Sequence, residues 1–173
     1  MNDFRRDLVK IKAFGFDVDG VLSGSSLVLD SSGEMLRNMN IKDSYALQYA
    51  VKKQYPVAII SGGHSDPLYK RFANLGIIDI YSRAFNKKDS LLDFAYKYHL
   101  SPENILFMGD DIPDIEALTF CGMACCPADA AEEVRQVCSY ISDKQGGQGC
   151  VRDVIEQVLK LQGNWLDPQF LNW

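Results

Sequence analysis

Short, nearly uninterrupted apolar runs recur along the chain at Ala13–Val18, Val57–Ile60, Ile77–Tyr81 and Ile105–Met108, with a shorter one at Gly122–Cys125. Each is too short for an ordinary helix and mostly lacks polar alternation, the pattern of a strand covered on both faces. Tyr45–Lys53, Pro67–Leu75, Lys88–Tyr98, Ile112–Phe120, Ala130–Val137 and Val151–Leu161 read as helices, several opened by Ser, Asp or Pro. Their alternation predicts an α/β fold: a three-layer, Rossmann-like parallel sheet with helices on both faces. One stretch breaks the rhythm. Leu27–Leu29 and Met35–Met39 flank the turn-rich Asp30-Ser31-Ser32-Gly33-Glu34, so residues 25–40 read as a β-hairpin that projects from the sheet.

With 173 residues, 47% of them hydrophobic, the chain is expected to form one domain over residues 1–162. A tail, 163–173, follows, and its aromatics are either loose or docked. Eighteen Lys and Arg against 23 Asp and Glu give a net charge of −5. That argues against nucleic acid or anionic lipid as a partner and demands a local cationic pocket for any anionic substrate. The segment Met1 to Lys12 lacks the apolar core of a signal peptide, and no later run approaches the ~20 apolar residues of a membrane span, so a cytoplasmic location is expected. Cys121, Cys125, Cys126, Cys138 and Cys150 form no CxxC and have only His64 and His99 for company. They read as reduced structural thiols.

Four strand ends carry candidate chemistry. Phe16-Asp17-Val18-Asp19-Gly20 ends an apolar strand in two carboxylates, and period-two alternation points Asp17 and Asp19 to the same side. Two close carboxylates repel unless a cation joins them, and a hard divalent ion such as Mg²⁺ fits oxygen ligands. DxDG arises by chance in about one chain in twenty-five, so alone it decides nothing. Ser61-Gly62-Gly63 ends a second strand with a hydroxyl and free amides that could grip phosphate, or simply cap the next helix. Asn86-Lys87-Lys88 follows a third, and Gly109-Asp110-Asp111-Ile112-Pro113-Asp114 follows a fourth, where acids could complete an oxygen cage or merely favour a helix start.

The joint order of DxDG, Ser-Gly, Lys and GDDxxD, each at a strand end, is far rarer than any one motif. Here the chain resembles the haloacid dehalogenase superfamily, over roughly Ile11 to Leu161. It is most similar to the 3-deoxy-D-manno-octulosonate 8-phosphate phosphatases, through FDVDGVLSG, Asn40-Ile41-Lys42-Asp43, IISGG, LGI, NK, MGDDIPD and Gly146-Gly147-Gln148-Gly149-Cys150-Val151-Arg152. The resemblance implies a Mg²⁺-dependent phosphomonoesterase in which Asp17 is the nucleophile and Asp19 the acid and base. Ser61 and Lys87 would hold the phosphoryl oxygens. It implies metal ligands from the Asp17 and Asp110 side chains and the Asp19 backbone carbonyl, with Asp111 and Asp114 orienting Lys87 or a metal water. Lys42, Gly62, Gly63, His64, Gly147 and Gln148 would meet the substrate.

Departures from that pattern bear on the substrate. Gly63 stands where some relatives carry Arg or Glu, His64 where a basic residue is common, and Gln148 where close relatives have arginine. A nonulosonate 9-phosphate phosphatase therefore stays open as an alternative, as does a receiver-like module phosphorylated on aspartate. From Asp17 to Ser61 there are 44 positions and from Lys87 to Asp110 only 23, too few for a cap domain. A homo-oligomer, most simply a tetramer as in the resembled family with hairpins at its centre, is expected to cover the site.

Overall fold

A computed structural model describes residues 4–170. After a short helix α1 (Phe4–Leu8), the main sheet is built from β1 (Ala13–Phe16), β4 (Val57–Ile60), β5 (Asp79–Tyr81), β6 (Ile105–Met108), β7 (Met123–Cys126) and β8 (Tyr140–Ile141). All pairings are parallel, in the spatial order β5-β4-β1-β6-β7-β8. Order therefore reverses between β1 and β6, and such a switch point opens the crevice in which α/β folds bind ligands.

The apolar runs lack alternation because both faces are buried. Phe14, Phe16, Val57, Ile59, Leu106 and Met108 enter one core, shared with helices α1, α2 (Ile41–Lys52), α3 (Asp66–Asn74) and α7 (Cys150–Leu161). Their neighbours Ala13, Ala58, Ile60, Ile105 and Phe107 enter the other, closed by α4 (Lys87–Lys97), α5 (Ile115–Phe120) and α6 (Glu132–Val137). Fully burying an aromatic or branched side chain contributes about 1.5–3 kcal/mol, so the paired cores dominate stability. The five cysteines are free thiols, with Cys125, Cys126 and Cys150 buried.

Strands β2 (Val28–Leu29) and β3 (Met35–Leu36) pair antiparallel as a separate two-stranded ribbon, and no cap domain is present among the described residues. The Asp30 carboxylate closes the hairpin turn by accepting from the amides of Ser32 (2.8 Å) and Glu34 (2.9 Å). Leu27, Val28, Leu29, Met35 and Leu36 are all exposed, Val28 and Leu29 by two-thirds.

Several expected boundaries differ, and the helix expected over Tyr45–Lys53 starts four residues earlier, at Ile41, behind its cap Asn40. The helix expected from Ile112 begins as a 3₁₀ turn over Ile112–Asp114 and becomes α-helical only at Ile115. The strand β8 lies beyond the five runs, because Tyr140 and Ile141 are only two residues long and sit at the sheet edge. The tail is docked as far as Phe170. Trp165 packs against Tyr49 with the rings tilted by 55° and their centroids 4.9 Å apart, and Asp167 pairs with Lys53 at 2.9 Å. The rest of it, residues 171–173, lies outside the described residues.

Candidate active site

Register brings the motifs together. Phe16 is paired with Ile59 on one side and Met108 on the other, so the residues after β1, β4 and β6 leave the sheet at one edge. Asp17 is the first residue past β1, and its amide donates to Met108 O at 3.0 Å. The chain then winds through Val18–Leu22, where Gly20 takes φ 83°. A side chain at Gly20 would be strained and would overlap the Asp110 carboxylate, so this glycine lets Asp110 close on the β1 loop.

Lys87 opens α4, whose N-cap Asn86 accepts from the Asp89 amide. Its ammonium lies 2.9 Å from Asp17 Oδ2 and 2.6 Å from Asp114 Oδ1, all three side chains being buried. The other Asp114 oxygen accepts from the amides of Asp110 (3.0 Å) and Asp111 (3.3 Å). Gly109 leaves the space, since a Cβ there would sit 2.5 Å from Asp114. Asp17, Asp110 and Asp114 each bring a carboxylate oxygen within 4.8 Å of the others.

Three acids about one lysine leave surplus negative charge. Burial pushes the Asp17 carboxyl up to about 7; the Asp114 charge adds to the rise and Lys87 opposes it. Burial also pushes Asp110 up to about 7, helped by Asp17 and Asp114. For Lys87, burial disfavours the charge, but Asp17 and Asp114 outweigh it and hold the ammonium above the usual lysine value. Such a cluster fits a hard divalent cation, which takes oxygen ligands and relieves the repulsion.

Ser61 leaves β4 with its hydroxyl accepting from the Gly63 amide at 3.2 Å, and a Cβ at Gly62 would meet open space. A cleft beside this corner is lined by Ser61, Gly63, His64 and Arg37, with Tyr69 and Tyr81. His64 is exposed and engaged by Asp66 (3.0 Å) and Ser82 (3.3 Å).

The structure departs from three expectations. The strand ends at Phe16, so the alternation expected to carry Asp17 and Asp19 does not run through them; the Asp19 carboxylate receives the Arg37 guanidinium at 2.6 and 2.9 Å and the Ser23 hydroxyl at 3.2 Å. Asp111 caps its own turn, accepting from the Ile112 amide at 2.8 Å, and the lysine is held by Asp17 and Asp114 instead. Lys42 and Gln148 line a different groove, with Arg152 and Glu156, from the cleft that holds Gly63 and His64. Gly147 bridges toward the site, donating its amide to Val21 O at 2.8 Å and accepting from Asn40 Nδ2. Asn40 also caps α2, and Asp43 accepts from the amides of Gly149 and Arg152, so the Asn40–Asp43 motif pins the glycine loop behind the β1 turn.

Arg37 is the site residue the sequence reading missed. It lies 18 residues from Asp19 on a different element, and a lone arginine in a hairpin carries no local signal.

A haloacid dehalogenase-like hydrolase family model matches residues 72–155. The 3-deoxy-D-manno-octulosonate 8-phosphate phosphatase of Salmonella typhi is 33% identical over 153 residues, 88% of this chain and 81% of that protein. Among solved structures, the phosphatase of the same name from Moraxella catarrhalis, in complex with magnesium ion, phosphate ion and KDO, superposes with TM-score 0.91 at 32% identity, covering 95% of each chain. The cobalt-bound enzyme from Haemophilus influenzae superposes at 0.89 with 28% identity, covering 95% of this chain and 98% of that one.

Proposed function

Because the chain belongs to the haloacid dehalogenase-like phosphatases of the 3-deoxy-D-manno-octulosonate 8-phosphate phosphatase type, we propose that it hydrolyses that sugar-acid phosphate to the free sugar acid and inorganic phosphate. The observation that carries this reading is the buried Asp17–Lys87–Asp114 chain with Asp110 beside it, at the switch point of the sheet. The cofactor is Mg²⁺, with Asp17 and Asp110 as side-chain ligands and the Asp19 carbonyl as a backbone ligand; Asp114 lies in the same carboxylate cluster. Bound there, it neutralises charge on the phosphoryl oxygens and on the acids around them.

Asp17 attacks phosphorus, forming an aspartyl-phosphate as the sugar oxygen departs with a proton from Asp19. Asp19 then takes a proton from water, which attacks the phosphoenzyme, releases phosphate and restores Asp17. Ser61 and Lys87 hold the phosphoryl oxygens in flight. Gly63 and His64 line the sugar's approach, and Gly147 and Gln148, with Lys42, bear on it through the glycine loop. The active unit is a homo-oligomer that covers an edge this chain leaves open.

A phosphate-release screen over sugar phosphates, with and without Mg²⁺, tests the reading. The eight-carbon sugar-acid phosphate is expected to lead. A nonulosonate 9-phosphate turning over faster would reassign the substrate, and stable phosphorylation without turnover would remove the enzyme reading.

A further inference from the structure

The Arg37–Asp19 pair is a contact that the chemistry above does not use and, as it stands, obstructs. Arg37 Nε donates to Asp19 Oδ1 at 2.6 Å and Nη2 to Oδ2 at 2.9 Å, while Nη1 reaches the Met35 carbonyl at 3.2 Å. One guanidinium thus fills both oxygens of the carboxylate in the fork geometry that arginine forms best. With the Ser23 hydroxyl also donating to Oδ1 at 3.2 Å, Asp19 so held has little of its carboxylate left for a leaving group. Either the pair opens during the reaction or Asp19 does not do the work assigned to it.

The surroundings indicate what opens it. Arg37 Nη2 lies 3.8 Å from where a Cβ of Gly63 would be, on the wall of the cleft beside Ser61. Lys87, at the same edge, is already divided between Asp17 and Asp114. Among the described residues lining the cleft, Arg37 is the arginine, and its present partner can be replaced by an anion of the same shape. A planar carboxylate is such an anion, and the substrate read above carries one at the end remote from its phosphate. Asp19 is 39% exposed while the Arg37 side chain is only 6% exposed, so the anion, not the guanidinium, is the half of the pair that can move off into solvent and be replaced.

We infer that Arg37 is the anchor for the substrate carboxylate and that it exchanges Asp19 for that group on binding, freeing Asp19 for the reaction only when a sugar acid occupies the cleft. Specificity and catalysis then share one residue: a phosphate ester without a carboxylate leaves Asp19 latched. The inference rests on the sugar-acid reading of the substrate and adds a residue and a selection step to it.

The test compares kcat/KM on 3-deoxy-D-manno-octulosonate 8-phosphate and on ribose 5-phosphate, which has no carboxylate, for the wild type, Arg37→Gln and Arg37→Lys. In Arg37→Gln the sugar-acid phosphate is expected to lose about 30–100-fold, mainly through KM, the scale of a lost charge-assisted hydrogen bond. Ribose 5-phosphate is expected to gain about 2–5-fold, because Asp19 is no longer held. Arg37→Lys keeps the charge without the fork and should fall between. Opposite signs on the two substrates are what a structural role cannot produce. Loss on both substrates, or a preference unchanged by Arg37→Gln, overturns the inference and leaves the substrate reading standing. A wild type with no preference for the sugar acid overturns both. Should Arg37→Gln fail to fold in a thermal melt, the substrate ratio of Arg37→Lys decides: a reduced ratio supports the anchor and an unchanged one overturns it.

Discussion

Lys87 and Asp114 form a buried pair at 2.6 Å in which the aspartate does two things at once, taking the ammonium on one oxygen and the Asp110 and Asp111 amides on the other. The same carboxylate thereby fixes the lysine on α4 and the loop after β6, two elements whose motifs are separated in sequence and meet only here.

Asp114→Asn should therefore act at a distance from phosphorus. It keeps the amide contacts but weakens the hold on Lys87, and kcat is expected to fall about 10–100-fold with a smaller change in KM. Stability should drop by about 1–3 kcal/mol, the scale of a weakened buried charged hydrogen bond. Steady-state kinetics and a denaturant melt measure both; an unaltered kcat would remove Asp114 from the positioning of Lys87.

Asp17→Asn should separate activity from stability. Turnover should drop by more than about a hundredfold, because the attacking anion is gone. Yet burial and Asp114 push the Asp17 carboxyl up to about 7, so its charge is a burden on the metal-free fold above that pH. In excess chelator at pH 8 the variant is expected to melt no lower than the wild type. A variant that unfolds, or one that keeps a tenth of the rate, contradicts the assignment.

Much of this arrangement was legible in the sequence. The five apolar runs located five of the six main-sheet strands, since doubly buried strands such as Val57–Ile60 and Ile105–Met108 have no polar positions to confuse them. The placement of Asp17, Ser61, Lys87 and Asp110 at one edge followed from parallel topology alone. What escaped was set by contacts between distant elements. Period-two alternation gave no hint of the Asp19 partner, because the chain winds up after Phe16 and Arg37 comes from the hairpin. Arg37 had no local signature, and the separation of Lys42 and Gln148 from His64 depends on how α2, α7 and the glycine loop lock together through Asn40 and Asp43.

Metal binding should depend on pH with a definite sign. Asp17 and Asp110 ionise near 7 in the metal-free fold against about 4 when unfolded. Between about 4 and 7 only the folded state holds these protons, so their stabilising contribution is full below pH 4 and is lost as pH rises through 7. Mg²⁺ replaces those protons, so the rise in Tm on adding it should be several degrees larger at pH 8 than at pH 5.5. Asp43, which burial pushes up to about 6, titrates in both arms and largely cancels from the difference. A metal-induced shift independent of pH would mean the ion is not held by these carboxylates.

The hairpin sets the last expectation. It makes a single bridge, Ser23 to Met39, outside its own two-residue strands, and its Leu27, Val28, Leu29, Met35 and Leu36 face solvent. A ribbon of two strands is marginal in water without an apolar partner, and Val28 and Leu29 are left two-thirds exposed. Exposed apolar edges of this kind are covered by a second copy far more cheaply than by solvent, and the hairpin also carries Arg37 to Asp19, which ties its position to the site. Replacing Leu29 and Leu36 with aspartate should dissociate the assembly, seen as a fall in mass by light scattering. It should also reduce turnover of the sugar-acid phosphate more than that of a small artificial ester, because only the larger substrate needs the covered cleft. A wild type already monomeric at working concentration, or a dissociated variant with full activity on the sugar-acid phosphate, would place the cover of Asp17 elsewhere.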